Sequence, residues 1–311
     1  MKGWLGVAVG LGLVTAAAGC GSDASTSSNR PTVVSAFYPL AWAAEQLGGD
    51  QIDVVDLTPL GSEPHDLELT PSQVAAIETA DLVVVLGRGF QPAVEDAAAD
   101  RESGSLDVLA TLGIGSDDDL VDAHDHDGDD DHADETVLDP HIWLDPVRMI
   151  EVVELVAGEL ESVVDDDAAL AANLAALVGE LEQIDDEYRT ALSSCRRREL
   201  VTSHDAFGRL AARYNLETIP IAGISPDAEP SPDRLAKLTE LVTERGVTTV
   251  FTETLVSPEI AETLAEEAGG LTVATLNPIE GRTEAQVDDG TEFGALMRAN
   301  LAALSGGLGC S

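Results

Sequence analysis

The chain contains six histidines, and their neighbours divide them into two groups of three. His124, His126 and His132 lie in residues 117–136 among eleven acidic residues and no basic one. Imidazole suits Zn, Cu and Ni while carboxylates add charge, so this segment reads as a labile metal-gathering patch. It has too little apolar content to fold alone and is expected to be disordered; a solvated acidic loop with incidental histidines is the plainer alternative. His65, His141 and His204 stand apart, in the segments GSEPHD, DPHIWLDP and TSHDAF, each with an Asp within two residues. One histidine alone is more often a satisfied polar residue than a ligand, but three such rings drawn from both halves of the chain point to a bound cation. Glu280, on the turn Asn277-Pro278-Ile279-Glu280-Gly281, adds an oxygen donor. Three imidazoles and a carboxylate form a tetrahedral, borderline-soft set that suits Zn(II) at about 2.0–2.2 Å. Mn(II) prefers more oxygen. Asp66 and Asp205 directly follow two of the rings and are expected to orient them through the second nitrogen. Helix capping is the alternative for Asp205.

The elements that must position these residues are legible from hydrophobic pattern. Residues 32–37, 52–57, 81–86, 199–203, 217–221, 247–252 and 271–276 are short β-branched or aliphatic runs bounded by Pro, Gly or Asp, as buried strands are. Helical patterns at 40–47, 71–79, 91–99, from 206 and at 258–267 alternate with them, which implies parallel sheets covered on both faces. In such sheets ligands gather at the carboxyl ends of strands, where His65 and His204 fall. Leu170, Leu174, Leu177, Leu181, Ile184, Tyr188 and Leu192 recur every three or four residues and mark one long amphipathic helix. The expected fold is α/β: an N-terminal lobe at 31–165, a bridging helix at 166–194 and a C-terminal lobe at 195–311, each lobe with a mainly parallel sheet flanked by helices. A continuous helix between lobes resists large hinge closure.

Before the first lobe, Lys2 precedes an apolar run over 4–18 that is shorter than the roughly 20 residues of a membrane-spanning helix. It reads as a signal peptide over 1–19. Ala17-Ala18-Gly19-Cys20 resembles a bacterial lipobox, with Ala17 where Leu is usual, and 20–30 has the Ser- and Asp-rich composition of a tether. Cys20 is then the lipidated residue, and Cys195 and Cys310 remain. Outside the cytoplasm these two are expected to form a disulfide, with two free thiols as the alternative. The 311 residues include 58 Asp or Glu and only 16 Lys or Arg, for a net charge of -42. No basic stripe can form to neutralise phosphates, which excludes a nucleic-acid partner. Hydrophobic residues make up 44% of the chain and are periodic, so it can bury a core.

Seven ordered motifs carry a resemblance: FYPL (37–40), EPHDLELTPS (63–72), DPHIWLDP (139–146), SHDAFGRL (203–210), ISPDAEPSP (224–232), VFTETLVSP (250–258) and LNPIEG (276–281). Along nearly its whole mature length the chain resembles the zinc/manganese substrate-binding lipoproteins of bacterial ABC transporters, of the zinc-uptake type. The resemblance implies metal held between the two lobes by His65, His141 and His204, with a membrane permease as partner. Manganese members carry a carboxylate where His204 stands, and the acidic His-containing loop is typical of zinc members, so zinc is favoured as the transported ligand. Some relatives use an Asp near position 277, which is Asn here, and in others water completes the shell; Glu280 ranks first. The expected protein is an extracytoplasmic, lipid-anchored monomer and not an enzyme. A manganese-binding homologue, a secreted zinc hydrolase with Glu63 as base, and a zinc-containing adhesin are the rivals; no HExxH helix supports the hydrolase.

Overall fold

The computed structural model describes residues 1, 3, 30–115, 138–226 and 230–311. Nearly all of the expected signal peptide 1–19, Cys20, the tether as far as 29, and the acidic segment with His124, His126 and His132 lie outside the described residues. Among the described residues eight strands form two four-stranded, wholly parallel sheets. The first has the order β2-β1-β3-β4, from β1 (Thr32–Ser35), β2 (Asp53–Asp56), β3 (Leu82–Val85) and β4 (Ser105–Asp107). The second repeats it as β6-β5-β7-β8, from β5 (Glu199–Thr202), β6 (Glu217–Pro220), β7 (Thr249–Glu253) and β8 (Thr272–Leu276). β4, with its register of Val83, Val84 and Val85 against Ser105, Leu106 and Asp107, has no counterpart in the pattern read from sequence. Only Leu106 of its three residues is buried, so it carries too little apolar signal to be seen.

The helices in chain order are α1 (Tyr38–Gly48), α2 (Pro71–Thr79), α3 (Pro92–Ala99), α4 (Val108–Thr111), α5 (Pro146–Leu160), α6 (Asp167–Leu192), α7 (Gly208–Arg213), α8 (Pro232–Glu244), α9 (Glu259–Glu267), α10 (Glu284–Asp288) and α11 (Phe293–Leu308). Their starts follow capping chemistry. Thr70 and Gln73 form a reciprocal capping box ahead of α2, with Pro71 inside its first turn. Asp145 accepts from the N–H groups of Val147 and Arg148, and Pro146 opens α5. Asp166 does the same for Ala168 and Ala169 at the start of α6.

At 26 residues α6 is about 39 Å long and is the bridge. Asn173 in its first half donates to the Leu47 carbonyl at 2.9 Å, and Tyr188 in its second half donates to the Met297 carbonyl at 2.6 Å. Its buried stripe of Leu170, Leu177, Leu181, Ile184, Tyr188 and Leu192 joins the two lobes into one apolar cluster, while Leu174 is only partly buried. A second cluster, including Val201, Ile219, Leu238, Val242 and Leu264, belongs to the C-terminal lobe alone. Trp42 of α1 stacks on Phe293 of α11 at 4.5 Å between ring centres, another apolar contact across the lobes. A disulfide joins Cys195, just past α6, to Cys310, just past α11. The C-terminal helix is thereby tied to the end of the bridge.

Candidate metal centre

Each of four loops between the lobes contributes one side chain. His65 sits in the loop between β2 and α2, and His141 in the approach to α5. His204 lies two residues past β5, and Glu280 on the turn after β8. His141 and His204 are fully buried, Glu280 is 1% exposed and His65 9%. One ligand atom from each of the four residues lies within 4.8 Å of all the others. Glu280 Oε1 is 3.6 Å from His65 Nε2, 3.2 Å from His141 Nε2 and 3.4 Å from His204 Nε2. The three Nε2 atoms and both Glu280 oxygens are buried and have no hydrogen-bond partner among the described residues. Buried polar atoms are almost always paired, so five orphans facing one point leave a place for a cation.

The rings are set by carboxylates on their far side. Asp139 Oδ1 lies 2.8 Å from His141 Nδ1 and also accepts from the His141 backbone N–H at 2.9 Å. Glu253, at the end of β7, accepts from the His204 backbone N–H at 2.9 Å through one oxygen and meets His204 Nδ1 with the other. A carboxylate on Nδ1 holds the proton there and turns the Nε2 lone pair toward the centre, the tautomer that binds metal. Asp139 is held from the opposite lobe: Arg209 Nε donates to its carbonyl at 2.8 Å. Gly208 lies against its carboxylate, where a Cβ would come within 2.8 Å of Asp139 Oδ2. A larger residue at 208 would push the orienting carboxylate away.

The charges are mutually dependent. Burial opposes protonation of His141, but Asp139 and Glu280 outweigh it and raise its pKa above the ordinary imidazole value. Burial likewise opposes protonation of His204, and Glu280 and Glu253 raise its pKa well above that value. Burial would raise the Glu280 pKa; the facing imidazoles, His204 foremost, instead hold it well below the usual carboxylate range. In the metal-free protein Glu280 therefore favours protons on His141 and His204, and they in turn favour its ionised form. A divalent cation can replace those protons.

The structure brings together His65, His141, His204 and Glu280, as the sequence reading expected, and corrects the orienting residues. Asp66 is exposed to solvent. Glu253, not Asp205, takes the second nitrogen of His204. The N-cap position of α7 is Phe207. Residues adjacent in an extended segment project to opposite sides, so an Asp immediately after a ligand is badly placed to reach that ligand's ring. Asp139, two residues before His141, was within reach of a spacing argument. Glu253 is 49 residues from His204 and carries no local signal.

The family described as zinc-uptake complex component A, periplasmic, matches residues 33–307. Among curated relatives, zinc-binding protein AdcA of Streptococcus pyogenes serotype M1 is 35% identical over 289 residues, covering 89% of this chain and 56% of that protein. The chain thus spans little more than half the length of AdcA. High-affinity zinc uptake system protein ZnuA of Bacillus subtilis is 33% identical over 314 residues, covering 99% of this chain and 98% of that protein. Among solved structures, the Zn(II)-bound ZnuA-like domain of Streptococcus pneumoniae AdcA superposes with a TM-score of 0.72 at 32% identity, covering 90% of this chain and 99% of that one.

Proposed function

The chain belongs to the zinc-uptake complex component A family, and from that premise we propose that it captures Zn(II) outside the cytoplasm and delivers it to the membrane permease of an ABC importer. His65, His141, His204 and Glu280 are the ligands. The observation that carries this reading is the convergence of three imidazole Nε2 atoms and one carboxylate within 4.8 Å, all buried. Three nitrogens and one oxygen match zinc better than manganese, which favours oxygen-rich shells. Four protein donors complete a tetrahedron and leave no position for a reacting water, so the site favours carriage over the hydrolysis that an open zinc coordination position would permit.

The segment 117–136 gathers cations through its acidic residues and His124, His126 and His132, an effect screened by salt. Cys20 carries the lipid that holds the protein at the membrane; no described helix is long and apolar enough to cross one. The protein acts as a monomer.

The decisive test is calorimetric titration of the apo protein with zinc, together with anomalous diffraction at the zinc edge from crystals grown with metal. One tight equivalent at the four named side chains is the expected result. His204→Ala should weaken binding at least about a hundredfold, since a four-ligand zinc site is worth roughly 10–16 kcal/mol in apparent binding. Tighter binding of manganese than zinc, or zinc located elsewhere, would overturn the assignment. Hydrolytic turnover lost in Glu63→Gln would establish the enzyme instead.

A further inference from the structure

Glu280 belongs by chain connection to the C-terminal lobe, but the turn that carries it is fastened to the N-terminal lobe. Trp143 Nε1, two residues past His141, donates to the Pro278 carbonyl at 2.7 Å. The Gly61 N–H, in the loop that leads to His65, donates to the Arg282 carbonyl at 2.8 Å. The Arg282 guanidinium lies 4.3 Å over the Tyr38 ring at the start of α1. On its own side the turn is anchored by Asn300 of α11, which accepts from the Asn277 N–H at 2.8 Å and donates to the Asn277 carbonyl at 2.7 Å.

These anchors hold an unfavourable backbone. Ile279, next to Glu280, has φ 59°, in the left-handed region that a β-branched residue avoids. Strain of this kind persists only where surrounding contacts over-determine it. Asn277 Oδ1 accepts the Ile279 N–H at 2.8 Å, Asn300 fixes the stem, and the Trp143 bond fixes the peptide between them. Trp143 is itself closely packed: it is 1% exposed, and its ring lies 4.8 Å from Phe37, 5.5 Å from Phe90 and 5.1 Å from His141 between centroids.

We propose that Trp143 is a positioning residue whose indole N–H latches the Glu280 turn across the lobes, so that the fourth ligand stays engaged only while the His141 and Glu280 loops are held together. The inference rests on Glu280 being a ligand. The latch then lengthens the residence time of the ion: breaking the Trp143–Pro278 bond leaves the turn to its remaining anchors and lets Glu280 disengage more often, toward a three-histidine site.

Trp143→Phe keeps an aromatic ring in the cluster and deletes the donor. It is compared with the native protein and Glu280→Gln, each loaded with Co(II) for its ligand-field spectrum and with Zn(II) for dissociation into excess chelator. The latch predicts that Trp143→Phe shifts the Co(II) bands toward those of Glu280→Gln. It also predicts zinc release about tenfold faster, the scale of one unsatisfied buried carbonyl. A role in packing alone would lower the melting temperature of the apo protein and leave the Co(II) spectrum native. A native spectrum and native release in Trp143→Phe, beside an altered Glu280→Gln, would overturn the latch and leave the ligand assignment standing. A native spectrum in Glu280→Gln would overturn both. Should Trp143→Phe fail to fold, Pro278→Ala tests nothing, because the carbonyl remains; Asn300→Ala, which loosens the same turn from the other side, must then give the shifted spectrum, and a native one refutes the anchoring scheme.

Discussion

Replacing Glu253 with Gln preserves the shape of the group behind His204 and removes one acceptor. In the native protein one Glu253 oxygen accepts from the His204 backbone N–H at 2.9 Å and the other from ring Nδ1. Two donors need two acceptor oxygens, and a Gln side chain has one. Either one donor faces an amide NH2, or the imidazole moves its proton to Nε2, the atom that must offer a lone pair to the metal. Both side chains are fully buried, so water cannot substitute. One unpaired buried donor costs about 1–3 kcal/mol. Loss of an orienting partner weakens metal binding about 10–100-fold, or about 1.4–2.8 kcal/mol at 1.4 kcal/mol per tenfold. The two estimates coincide, so zinc affinity should fall about 10–100-fold at mildly alkaline pH. The pH dependence has a definite sign. Burial opposes protonation of His204, but Glu280 and Glu253 outweigh it, so the metal-free ring keeps its proton well above the usual imidazole value. The amide removes the Glu253 contribution; the variant ring deprotonates more readily and competes less with zinc for its own proton. The deficit relative to the native protein must therefore narrow on acidification. Competition against a chromophoric chelator from about pH 8 to about pH 6, across the free imidazole value, measures both effects. Native affinity throughout, or a deficit that widens as pH falls, refutes the reasoning.

Zinc binding to the native protein should release protons at neutral pH, because the pKa values of His141 and His204 are raised in the metal-free state. Affinity should then fall as pH drops through those raised values, where both rings are charged. Calorimetry in buffers of different ionisation enthalpy counts the protons, and a heat independent of buffer contradicts the account. Reducing Cys195–Cys310, which closes a 115-residue separation, should cost about 4–5 kcal/mol by loop entropy. Denaturant unfolding with and without reductant, or of a double Cys→Ser variant, reads this, and an unchanged midpoint argues against it. Asp145→Ala removes the α5 cap and leaves Arg213 without its ion pair across the lobes, for an expected loss of about 2–4 kcal/mol. Thermal unfolding of the apo variant checks it, and a loss below about 0.5 kcal/mol, the range of an ordinary surface substitution, would mean the cap and pair contribute little.

Much of this architecture is local chemistry written in the chain. The apolar runs that become β1, β3, β5 and β7 need no partner to be recognised, because strands buried on both faces are almost continuously apolar. The seven-residue stripe of α6 shows for the same reason: a helix that buries one face repeats every three or four residues. The three histidines that converge on one point were legible too, since histidine close to Asp is scarce and chemically specific. β4 was not, because a short edge strand with one buried residue barely departs from loop composition.

The sequence by itself determined which side chains could bind a borderline-soft divalent cation and which lobes would carry them. Only the tertiary structure decided how those side chains are aimed. Nearness along the chain suggested Asp205 as the partner of His204, and packing supplied Glu253, 49 residues away. Nothing adjacent to Glu280 suggests Trp143, 135 residues before Pro278, as the donor that holds its turn. The physical reason is that ligand identity is a property of one residue, whereas tautomer, ring direction and the support of a strained turn depend on hydrogen bonds between distant segments. Those bonds depend on the apolar cluster through which α6 joins the two lobes.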